Sequence, residues 1–253
     1  MSNLVPLGGE LAVSGDSMDV NAWGQSEFTA KDLIIPKIMM MQPTSSMVID
    51  GKAVFGQFVN SLTGEVMGSF NEPLNIIPIL LNKLFIVKRR VANKGTIDDF
   101  EFVRYENVTV HNENLPWDSL ENGKEIQRRL IRNFYVLVEG HGDMPYMLSL
   151  KSTSSKAAQV LATQMYTLNA LAKLPPCGTV MSFGATKEKN DNGSYVVAEF
   201  KPVKRTDKDI CDKAFNWFQA IKNGVIKVDN KEDVEQEVKD LKKEELFNKD
   251  SKF

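Results

Sequence analysis

Apolar and polar side chains alternate along residues 178–189 and again along 194–203, on either side of a turn containing Asn192-Gly193. Alternation with period two sends successive side chains to opposite faces of a sheet, and a short Gly-containing turn joins two antiparallel strands. The same signal predicts strands at 53–60, 74–81, 84–91, 100–105, 131–139 and 146–151, with a turn over Ser61-Leu62-Thr63-Gly64. An earlier apolar run, DLIIPKIMMMQP, is interrupted by Pro36, which cannot donate to a ladder and marks an edge or a strand start. Over 154–173 the period changes. Ala157, Leu161, Met165, Leu168 and Ala172 recur every three or four positions, giving a helix with one apolar stripe that Pro175-Pro176 stops. Further helices are expected over 207–222 and 231–247, and 112–130 reads as a polar insertion.

Several strands, one helix and a closing hairpin suit a small antiparallel barrel better than a parallel α/β sheet, which alternates strand and helix throughout. The expected fold is mainly β with helices: an OB-like antiparallel barrel with an inserted helix and a helical C-terminus. The alternative is a split α+β sheet with the helix on one face. Three regions follow: a flexible N-terminal arm over 1–30, rich in Gly, Ser and Asn; the barrel over 31–205; and a helical, charged C-terminal region over 206–253 that ends in a tail.

Composition adds that 253 residues with 42% hydrophobic content can bury a real core. No run approaches the roughly 18 apolar residues that span a bilayer, and the first residues lack a secretory pattern, so a soluble chain without a membrane partner is expected. The two cysteines, Cys177 and Cys211, sit in no metal-binding or redox spacing and are expected as reduced thiols. The net charge of −2 hides an uneven distribution. Residues 1–82 hold three basic against eight acidic side chains, 83–205 eighteen against thirteen, and 206–253 ten against twelve. A basic middle between acidic ends fits a body that binds a polyanion.

The strands of that middle interleave cations with rings. Lys88, Arg89, Arg90, Arg132, Lys151, Lys187 and Lys201 are the candidates for phosphate contacts, and Tyr135, Tyr146, Phe183 and Tyr195 for stacking on unpaired bases. Each ring is also explained by a place in the core, since strands favour aromatics. Phase sharpens the choice. Val196, Ala198 and Phe200 share what reads as the core face, leaving Tyr195, Val197, Glu199 and Lys201 outward; Phe183 is in phase with Lys187 and reads as exposed.

Catalytic signatures are scarce, and neither an enzyme activity, a metal nor a cofactor is expected. Glu139, His141 and Asp143 alternate in EGHGDMP as metal ligands would, but a Gly-rich turn with incidental polar residues explains them as well. Asp191 with Glu199 and Lys201 loosely follows the carboxylate-and-lysine arrangement of metal-dependent nucleases. The hydroxyls of KSTSSK at 151–156 suit helix capping.

Three stretches carry a resemblance: GKAVFGQFVNSLTGE, YMLSLKSTSSKAAQVLATQMYTL and GTVMSFGATKEKNDNGSYVVAEFKPV. Across about residues 50–205 the chain resembles bacteriophage single-stranded DNA-binding proteins of the OB-fold type. The resemblance implies a protein that coats single-stranded DNA in replication or recombination, in the cytoplasm of an infected bacterial host, without catalysis. The terminal Phe253 is similar to the ending of many such proteins and implies a tail that contacts replication or recombination partners, although DSKF lacks their dense acidic block. Rival readings are a phage structural or host-interacting protein that uses the IMMMQ stretch as a sticky edge, and a strand-annealing recombination protein. An open strand near 33–41 would also offer an edge to a second copy in a homo-oligomer.

Overall fold

A computed structural model describes residues 34–90, 100–116, 118–190 and 193–223. The arm over 1–30, Asp191, Asn192, the helix expected at 231–247 and Phe253 lie outside them.

Two long antiparallel strands form the spine: β4 (Leu74–Arg90) and β7 (Lys124–Val138), in register from Ile76 opposite Val138 to Arg89 opposite Ile126. The runs expected as separate strands at 74–81 and 84–91 are one element. The ladder slips between Pro78 and Leu80, where Pro78 has no N–H to donate, and the strand then continues. At one end, β9 (Thr179–Asn190) and β10 (Gly193–Arg205) extend the sheet beside β4, and β8 (Tyr146–Lys151) beside β7. At the other end, β5 (Phe100–Asn107) and β6 (Asp118–Glu121) flank the same two strands and make an extension. Within the expected polar insertion, Asn122-Gly123 turns β6 into β7 with φ of 52° and 73°, the left-handed pair of a two-residue hairpin.

A second sheet of three strands comprises β1 (Ile38–Met40), β2 (Gln57–Asn60) and β3 (Val66–Ser69). Between β1 and β2 lies a short helix, α1 (Ser46–Ile49). Beside β1, Lys37 bridges in parallel to Met147 of β8, and the Met147 N–H donates to the Pro36 carbonyl at 2.8 Å. Residues 36–40 of the run near 33–41 are thus partnered inside the chain, and Met41 of the expected sticky edge is buried.

The sheets do not close into the barrel expected from the sequence. At the far edge of β10 a side chain takes the place of a strand. The Gln42 carboxamide donates to the Val196 carbonyl at 3.0 Å and accepts from the Val196 N–H at 2.9 Å. Close by in the sheet, Ser154 Oγ accepts from the Ala198 N–H at 3.4 Å. These groups of the β10 edge are thus satisfied without another strand.

The main core lies between the two sheets. Phe58 of β2 stacks on Phe183 of β9 at 4.4 Å, and Phe183 on Phe200 of β10 at 5.3 Å. Ala157, Ala158 and Leu161 of α2 (Ser155–Thr163) close the same cluster. The expected helix is continuous: it opens in a 3₁₀ turn (Ser152–Ser154) and runs through α2, a π-helical turn (Gln164–Leu168) and α3 (Asn169–Leu171). It ends before the two prolines, where Lys173 takes φ of 58° and the Leu174 N–H returns to the Asn169 carbonyl at 2.7 Å. On the opposite face of the large sheet, α4 (Lys208–Lys222) covers Ile77, Leu137 and Val180 with Ala214, Trp217, Phe218 and Ile221.

Candidate nucleic-acid interface

The extension engages the cations that the sequence offered to phosphates. Arg89 is paired with Glu101, Arg90 with Glu125 at 2.6 Å, and Lys88 is buried. Beside them Glu106 accepts from Arg104 and, at 3.2 Å, from Arg128, while Arg104 also reaches Glu121 at 2.9 Å. Partial burial works against the Glu106 carboxylate, yet the hydrogen bonds and charges of Arg104 and Arg128 outweigh it and hold its pKa below the usual value. Nearer the helix, Arg132 donates to Ser155 Oγ at 3.0 Å, and burial lowers its pKa. Lys151 is exposed at the end of β8, and Lys201 pairs with Glu199 at 2.9 Å.

Three of the four candidate stacking rings are enclosed. Phe183 is fully buried, the middle ring of the stack described above, and is not an exposed ring. The phase argument did place it on the side of Lys187. That side, however, faces the core along the strand and emerges only near the hairpin tip, because the β1–β3 sheet covers it. Tyr135 lies under α4, where burial pushes its phenol up to about 12. Tyr146 is also buried, and its hydroxyl donates to the His141 carbonyl at 3.3 Å. Tyr195 remains half-exposed, with its hydroxyl donating across the hairpin to Glu188 at 2.8 Å. That hydrogen bond is the main cause of its raised pKa.

Accessible rings come from two loops: Phe70 lies in a turn outside every expected strand, and Phe55 lies within the strand expected over 53–60, of which only Gln57–Asn60 is a strand. Lys187 lies over the Phe55 ring at 5.4 Å, and Phe70, 42% exposed, packs flat on the backbone of Gly56. Gly56 has φ of +86°, and any Cβ there would run into the Phe70 ring. The Phe70 N–H donates to the Gly56 carbonyl at 3.1 Å, fixing one loop to the other. Ser69 Oγ accepts from Asn71 N–H and Glu72 N–H, both at 3.2 Å, and holds the turn that presents the ring. Lys52 and Lys189 are exposed on the same loop and hairpin. The signal available in the sequence was an aromatic beside Gly or in a polar turn, where strand propensity does not explain it.

Other candidate chemistry is dispersed. Glu139 takes Asn75 at 2.9 Å and Lys204 at 3.0 Å, whereas Asp143 takes Lys213 at 2.8 Å. Among the described residues no group of three His, Cys, Asp or Glu side chains is arranged to hold a metal. A cleft of about 610 Å³ opens where the extension meets the helix, lined by Leu81, Lys83, Asn107, Thr163 and Tyr166. Its one cation, Lys83, is engaged by Glu113 at 2.7 Å. No described helix is long and apolar enough to cross a membrane.

A family model described as Pam3 phage gp34-like protein matches residues 8–227. No curated protein and no solved structure matches the chain.

Proposed function

The chain belongs to the Pam3 phage gp34-like protein family, and on that footing we propose that it binds single-stranded DNA without sequence preference and coats it during phage replication or recombination. The observation that carries the reading is the pair of accessible rings around Gly56, Phe55 and Phe70, with the Lys187 ammonium directly over the first. Unpaired bases stack on such rings whatever their identity, and the adjoining cations follow the phosphates. Lys189 extends the surface on the same face of the hairpin, Tyr195 and Lys201 lie on its opposite face and would meet a strand that wraps around it, and Arg132 and Lys151 lie farther off as auxiliary phosphate contacts. An OB-like ancestry of the fold belongs to the same proposal; it rests on two antiparallel sheets facing one core, with α2 packed against β8 and β10.

The test is fluorescence anisotropy of a labelled oligo-dT of about 30 nucleotides, several times the site of one binding fold, titrated at low and moderate salt beside a duplex of equal length. The expected outcome is tight, salt-sensitive binding to the single strand and weak binding to the duplex. Absence of binding to both at low salt overturns the reading and leaves a protein-contacting role for the same rings.

A further inference from the structure

The chain's two cysteines, 34 positions apart, meet in the fold. Cys177 precedes β9 and is buried among Ile77, Leu137 and Val180, while Cys211 lies in the first turns of α4 and is half-exposed. Their sulfurs are 3.2 Å apart, and Cys211 Sγ lies 3.4 Å from the Cys177 carbonyl. Both thiols are free. Apolar packing alone does not require the only two thiols of a chain to be neighbours, and a sulfur–sulfur contact this close needs a shift of only about 1 Å to reach bonding distance.

We propose that Cys177 and Cys211 form a reversible dithiol–disulfide pair that fastens α4 to the large sheet, with a small disulfide such as oxidised glutathione as the electron acceptor. Cys211 is the point of entry because it is the more exposed of the two residues. Its thiolate attacks one sulfur of oxidised glutathione, a mixed disulfide forms, and one glutathione thiolate leaves. The Cys177 thiolate then attacks Cys211 Sγ, and the second glutathione leaves. The protein gives up two electrons and two protons; the glutathione disulfide takes up both and becomes two thiols. The bond pins the start of α4, whose later turns are already held by Trp217 Nε1 donating to the Asp143 carbonyl at 2.8 Å and by Lys213 on the Asp143 carboxylate. The pair operates whether or not the chain binds DNA.

The full chain is equilibrated in glutathione buffers from fully reduced to fully oxidised, quenched in acid, denatured, alkylated with a maleimide and mapped by tryptic mass spectrometry. The expected result at the oxidising end is two fewer alkylated thiols per monomer, a peptide linking Cys177 to Cys211, and a Tm raised by roughly 5–10 °C, since the link restricts the unfolded chain. Cys211→Ser abolishes the Tm difference between the two poises. The proposal is overturned if both thiols remain alkylatable at the oxidising end, if links form only between chains, or if oxidation stops at a glutathione adduct on one cysteine. Thiol counting and the peptide map use the natural chain, so they decide the matter even where a variant fails to fold.

Discussion

At the scale of single residues, two phenylalanines with opposite surroundings separate recognition from folding. Phe70→Ala removes a ring that is 42% exposed and rests against Gly56, so single-strand affinity is expected to drop by about 1–3 kcal/mol, between several-fold and more than a hundredfold, with little change in Tm. Phe183→Ala empties the middle of a three-ring stack and is expected to cost about 3–5 kcal/mol in urea melts, while the molecules that remain folded bind as before. An unchanged Kd for Phe70→Ala removes that ring from the interface. Gly56→Ala couples the two properties. Its backbone conformation opposes a side chain and its Cβ displaces Phe70, so a stability loss on the order of 1–3 kcal/mol, together with weakened oligo-dT binding, is the expected pair of readouts.

Elements differ in what holds them. The central sheet rests on apolar burial from both faces, but the extension of β5 and β6 on the outer halves of β4 and β7 combines a small cluster of Phe85, Val87 and Ile126 with a network of charges. Glu106 sits at the centre of that network with a pKa below its unfolded value, so it adds stability above the unfolded carboxylate range and loses it as pH falls through the folded value. Amide protection factors in the extension are therefore expected to fall from about pH 5 downward, and Glu106→Gln to flatten that dependence; an identical pH profile in the variant would show that the network does not hold the extension. Most strands and α4 were legible in the sequence because period two and period 3.6 survive wherever one face is buried, but β3 and β6, four residues each, were not. The continuity of β4 was not, since the polar pair Asn82-Lys83 separates two apolar runs and only the partner β7, with Asn133 and Arg132 opposite them, shows that the ladder continues. Barrel closure failed for a related reason. Whether an edge is met by a strand or by one glutamine depends on contacts 154 residues apart, which no local pattern records. The candidate site was legible in part: Lys187 and Tyr195 kept accessible positions, but the rings around Gly56 are Phe55, half-buried in a run that reads as strand, and Phe70, exposed in a turn without periodicity.

For the molecule as a whole, the basic balance of the middle segment overstates the positive surface, because Arg89, Arg90, Arg104, Arg128, Lys201 and Lys204 each face a carboxylate. Binding is then carried by few cations, and the salt sensitivity expected of the single-strand complex reflects those few contacts rather than the whole basic segment, with Lys187→Ala reducing the slope of log affinity against log salt by about 0.7, the increment for one phosphate on a single strand. A slope unchanged in the variant would place the strand elsewhere on the surface. The Gln42 carboxamide, finally, bears on how the protein behaves at high concentration. One side chain imitates a peptide unit and occupies the position that a neighbouring molecule's backbone would otherwise take on β10. Gln42→Leu, similar in size but unable to make either bond, should therefore expose an adhesive margin, and light scattering of concentrated solutions should show it as self-association; a single glutamine would then stand between a discrete particle and a growing stack.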